Sequence, residues 1–92
     1  MRTRLNAETA QLSWAELERH FARGAVVRVS ADLDLVEVAS RFAEDDRPAV
    51  ERWLTAGEVR RTTVEDAEDW GRRDPALWAV VVAPWVLVQE PV

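Results

Sequence analysis

Apolar and polar positions along this chain switch between a period near four and a period near two, and the switch points outline the elements. Ser13-Trp14-Ala15-Glu16 has the form of a capping box: a hydroxyl bonds the N–H three residues on, and the Glu reaches back. Leu17 and Phe21 follow four apart and Gly24 supplies a stop, which predicts a helix over 14–23. The β-branched run Ala25-Val26-Val27-Arg28-Val29-Ser30 predicts a strand. Asp34 and Glu37 repeat the cap-to-N3 spacing. Behind them Leu35, Val38, Ala39, Phe42 and Ala43 fill the i, i+3, i+4, i+7, i+8 stripe of a helix over 35–45. Glu37 and Arg41 add a pair four residues apart on its surface.

Asp45-Asp46-Arg47-Pro48 breaks that stripe. Asp46 is placed to cap a further helix, and Pro48 suits a first turn, where a missing N–H costs nothing. The stripe of this helix is Val50, Trp53 and Leu54, and Gly57 ends it. Residues 58–62 read as an edge strand around Val59. Thr62 and Glu65 form another box, opening a short helix over 63–71 with Ala67 and Trp70 inward. After a polar turn, the run from Leu77 to Gln89 reads as one long strand, apolar on both faces. Such a strand is central in its own sheet or covered by another subunit. Within it, Pro84 marks a kink, a bulge or a break. Residues 1–12 lack a clear period and read as a loose lead-in, leaving 13–92 as a single domain.

The order helix, strand, helix, helix, strand, short helix, long C-terminal strand predicts a small α+β domain with winged-helix-like order. The alternative is a set of helices on one face of a small antiparallel sheet.

Two stretches carry a resemblance: Leu33-Asp34-Leu35-Val36-Glu37-Val38-Ala39 and Val81-Val82-Ala83-Pro84-Trp85-Val86-Leu87-Val88-Gln89. Together with Leu5-Asn6-Ala7-Glu8-Thr9-Ala10 and the Ser13-Trp14 entry, they resemble a small bacterial family catalogued as domain of unknown function twenty-two eighty-eight. The resemblance implies a bacterial, cytosolic, stand-alone protein. It brings no activity and no functional residues.

Composition narrows the function. A chain of 92 residues suits one domain. All twelve basic residues are Arg, and the net charge is −5, which argues against a free-standing nucleic-acid binder. With no cysteine there is no disulfide, thiolate metal site or cysteine nucleophile. No apolar run reaches the ~18 residues of a membrane span, and the N-terminus lacks the apolar stretch of a signal peptide. The cytoplasm is the expected compartment, with no membrane partner.

Three constellations remain. Asp32, Asp34 and Glu37 near a helix start present oxygens to a divalent ion, although the Asp34/Glu37 spacing is also what a cap requires. Arg60-Arg61 and Arg72-Arg73 flank the short helix and form the phosphate-contacting patch a nucleic-acid-binding wing would use, with Arg52 outward on a reading helix over about 48–56. Glu58, Glu65, Asp66, Glu68, Asp69 and Asp74 surround them. Trp78, Trp85 and Leu87, on the two-faced segment, are the candidates for protein contact. His20, the one histidine, lies four residues after Glu16 and reads as an ordinary helical residue. No phosphate loop, nucleophile elbow or zinc-protease motif is present. The expectation is a non-enzymatic protein-interaction or regulatory module without a cofactor, its partner a second copy (a homodimer) or another protein. The alternatives are a winged-helix nucleic-acid binder and a divalent-metal or small-ligand protein.

Overall fold

The computed structural model describes residues 9–90, and in them the chain forms five strands and four helices. They run β1 (Ala10–Leu12), α1 (Trp14–Ala22), β2 (Val26–Val29), α2 (Leu35–Ala43), α3 (Arg47–Ala56), β3 (Val59–Arg61), α4 (Val64–Arg73), β4 (Leu77–Val82) and β5 (Trp85–Gln89). The strands build one mixed sheet in the order β1-β4-β5-β2-β3. β2 and β5 are parallel, and the other neighbours are antiparallel.

The alternation of side chains along each strand feeds two cores. On one face Val26, Leu77, Ala79, Val86 and Val88 pack with Trp14 and Leu17 of α1 and Trp70 of α4. On the other, Val27, Val29, Val59, Val80 and Leu87 pack with Leu35, Val38 and Ala39 of α2 and with Trp53 of α3. This explains the apolar character of the C-terminal run: β4 and β5 are interior strands with helices above and below. Both faces are therefore covered within one chain.

The α+β class, the single small domain and the predicted order of elements are found, with two additions. Residues 77–89 form two strands rather than one, because the Val82–Trp85 pair closes a two-residue turn at Ala83-Pro84, whose peptide bond is cis. Part of the expected lead-in is also structured. Ala10–Leu12 pair with Leu77–Ala79 as the edge strand β1, while residues 1–8 lie outside the described residues. The layering differs from both architectures named above. Among the described residues the winged-helix-like order is laid out differently from a winged helix, since α1 and α4 are split from α2 and α3 by the sheet. Nor do the helices share one face of an antiparallel sheet.

Local signals acted largely as read. Ser13 and Glu16 make their box, Asp46 accepts from Ala49 N at 3.3 Å, and Gly57 takes the left-handed φ of 76° that ends α3. The last box is displaced by one residue: Thr63 caps α4 and Asp66, not Glu65, is its N3 partner. Thr62 is held in the sheet, where both its N–H and its hydroxyl donate to Val26 O at 3.2 Å. Asp34 caps α2 through Val36 N and Glu37 N. The Glu37 carboxylate turns instead to Arg41, at 2.9 Å.

Candidate functional site

The face covered by α2 and α3 is incompletely closed. On α3, Ala49 is buried and Trp53 packs onto the core, while Val50 and Leu54, four residues apart, flank that line on one side. They look across a groove of about 500 Å³ toward Val59 and Arg61 of β3, Phe42 of α2 and the β4–β5 turn with Trp85. That volume falls within the roughly 300–1,000 Å³ of ordinary ligand sites. Leu54 was expected in the core stripe and is instead 51% exposed at the rim.

Trp85 is half-buried at the end of this groove. The guanidinium carbon of Arg61 lies 5.2 Å from its ring centroid, within cation–π range. Two residues from different candidate sets, Trp85 for protein contact and Arg61 for phosphate, are thus brought together. Trp78 is not part of this site. It is 36% exposed at the far end of β4, beside Leu33 and Val36 near the start of α2. Leu87 is fully buried under α2 and has no surface to offer a partner.

Of the remaining arginines, Arg60 and Arg73 join Arg28 in one ionic cluster with Asp66 and Glu90, in which carboxylates occupy their donors. Arg60 donates to Asp66 at 2.6 and 3.1 Å. Arg72 and Arg73 donate to Asp69, and Arg73 also meets Glu90 at 3.1 Å. Arg52 is exposed on α3. In the acidic set, Asp34 and Glu37 have the local roles described above, and Asp32 is exposed with its N–H donating to Ser30 Oγ. Among the described residues no three His, Cys, Asp or Glu side chains are grouped so as to hold a metal ion. His20 meets Arg23 at 2.7 Å, and partial burial with the nearby Arg23 and Arg19 charges lowers its pKa. Glu16, its expected neighbour, is engaged at Ser13. No helix among the described residues is long and apolar enough to cross a membrane.

Residues 1–90 match the sequence profile described as "Protein of unknown function (DUF2288)". The chain belongs to that family. It is also similar to a solved structure, the NMR solution structure of PA1075 from Pseudomonas aeruginosa. The two share 55% identity with a TM-score of 0.85, over 92% of this chain and 79% of that one. No curated protein matches it.

In this DUF2288 chain the groove offers an apolar floor, two aromatic side chains, Phe42 and Trp85, and charged groups at its margins: Asp45, Arg47, Glu51 and Arg61. The groove has the volume and the mixed lining of an ordinary binding cleft. Sequence reasoning missed Val50 and Leu54 as site residues. Their signal was an apolar stripe wider than the contact α3 makes, and width alone does not say which edge stays uncovered.

Proposed function

We propose that this member of the DUF2288 family is a non-enzymatic interaction module that works in the cytoplasm and receives a partner protein in the groove between α3 and Trp85. The observation that supports this reading is Leu54, a large apolar side chain half exposed at the rim of an apolar groove. Leaving such area in water costs roughly 25 cal/mol per Å², and a partner that covers it recovers that energy.

The test is affinity capture of the tagged protein from its native cytosol after light crosslinking, run beside Leu54→Asp. A single protein recovered in stoichiometric amount by the parent and lost with Leu54→Asp supports the proposal. A partner retained by the variant would place docking elsewhere, and nuclease-sensitive recovery of DNA or RNA would overturn the reading. Leu54 is exposed enough for the variant to fold, and its circular dichroism and melting curve confirm that before capture.

A further inference from the structure

We infer that the groove takes an extended segment in which a single carboxylate stands next to a large apolar side chain. The inference rests on the docking reading above and adds the chemistry of the occupant. Arg61 is the key residue. Arg28, Arg41, Arg60 and Arg73 each meet a carboxylate at 2.9 Å or closer. Among the described residues Arg61 has no carboxylate within 4.0 Å; its neighbour is the face of Trp85. A guanidinium over an indole face spends none of its N–H donors on the ring, which leaves them for a carboxylate that takes two parallel hydrogen bonds. Apolar lining shares the groove with those donors, formed by Val50, Val59 and Val82 with Leu54 at the rim.

The opposite rim limits the charge of the occupant. There Asp45 and Glu51 outnumber Arg47, whose nearest carboxylate is Asp45 at 3.9 Å. A run of acidic residues would meet repulsion along α3, whereas one carboxylate placed at Arg61 does not. A phosphate group suits the site less well, since Arg47, the second cation of the lining, stands with Asp45 and Glu51, which repel a multiply charged anion. The extended form follows from the sheet. β3 is one of the two edge strands, and its outer side faces no other strand among the described residues, so a segment that leaves the groove past Arg61 meets main-chain partners there.

The experiment is selection of random dodecapeptides displayed on phage against the immobilised full chain, with counter-selection on Leu54→Asp. The best sequences are then synthesised and their Kd measured on the parent and on Arg61→Gln, both checked for fold by melting. The expected result is enrichment of sequences with one Asp or Glu within two positions of a large apolar residue. Arg61→Gln should weaken them about tenfold, the effect of losing a charge-assisted pair, and the Asn or Gln form of the peptide should bind parent and variant alike. Enriched peptides that lack an acid and ignore Arg61→Gln overturn the inference but leave the docking reading standing. A dimer of the free protein that Leu54→Asp dissolves also overturns it, because a second copy then fills the groove. No enrichment over the Leu54→Asp background overturns both.

Discussion

Arg28 of β2 and Arg60 of β3 are register partners across the antiparallel ladder, and both donate to one carboxylate, Asp66, at 2.7 and 2.6 Å. Like charges directly opposite in a sheet destabilise it. Here α4 brings the compensating charge to the same face, and Asp66 also accepts from Thr63 N at 3.0 Å to complete the cap of that helix. One side chain therefore joins a strand pair to a helix start. Arg28 also lies over Trp70, 5.2 Å from its ring centroid, so the ionic cluster sits against the core.

Replacing Asp66 with Asn keeps the shape and removes the charge. Breaking a buried ion pair by deleting one partner costs about 3–5 kcal/mol. The arginines here are 30% and 43% exposed in their side chains, so water relieves part of that and the expected loss is about 2 kcal/mol. Urea unfolding of Asp66→Asn against the parent measures it. A loss below about 0.5 kcal/mol, the scale of a surface pair, would mean that the cluster contributes no more than solvated charges do.

Acid should weaken the fold through the same group. Burial by itself raises the Asp66 carboxyl, but the Arg60 hydrogen bonds, the Thr63 N–H and the charges of Arg60 and Arg28 outweigh it and hold the group well below the usual carboxylate range. Glu90 is lowered too, first by Arg73 and then by the Trp70 indole N–H, which donates to it at 3.0 Å. Both groups thus bind protons less readily when folded than when unfolded. Their stabilisation is complete above the unfolded values near pH 4 and is lost as pH falls toward the folded ones. The melting temperature should decline steadily below about pH 5, and the decline should be shallower in Asp66→Asn and in Glu90→Gln. Equal slopes in all three proteins would assign the acid sensitivity to other groups.

Helix starts, the stripe of α2 and the two-faced character of the C-terminal run were legible because each depends on neighbours close in sequence. The layering was not. Which helices share a face is decided by the sheet order β1-β4-β5-β2-β3, and that order depends on the parallel pairing of β2 with β5 across more than fifty residues. The one-residue shift of the α4 cap has the same origin, since Thr62 bonds Val26 in another strand. At the site, Trp85 and Arg61 were both singled out, but for different functions. Only the sheet order, with β2 between β5 and β3, brings Arg61 over the Trp85 ring. Leu87 shows the converse: an apolar residue on a two-faced strand reads equally as core or interface until the covering helix is known.

That ambiguity has a direct test. Leu87 is fully buried among Val80, Val38 and Ala39, so Leu87→Ala should cost about 2–5 kcal/mol in folding stability, the range for opening a cavity in a packed core. The measurement is guanidinium unfolding at two protein concentrations tenfold apart. The loss should be the same at both. A loss that shrinks at the higher concentration would return Leu87 to a subunit interface.

Duplex DNA should not bind. Of the five arginines a winged-helix reader would use, Arg60, Arg72 and Arg73 are tied to Asp66, Asp69 and Glu90, which leaves Arg52 and Arg61. Phosphate contacts made by such groups would first have to break those pairs, in a chain of net charge −5. Non-specific binders draw their affinity from counterion release, with a salt slope of about −0.9 per phosphate neutralised. Arg52 and the free N–H donors of Arg61 together give a slope of about −2, too shallow to hold a duplex at physiological salt. Fluorescence anisotropy of a labelled twenty-base-pair duplex at about 50 mM salt, where such binding is strongest, should stay flat to high micromolar protein. A rise that collapses as salt is added would require the arginine pairs to open on contact with DNA, and Asp69→Asn, which frees Arg72 and loosens Arg73, should then strengthen it.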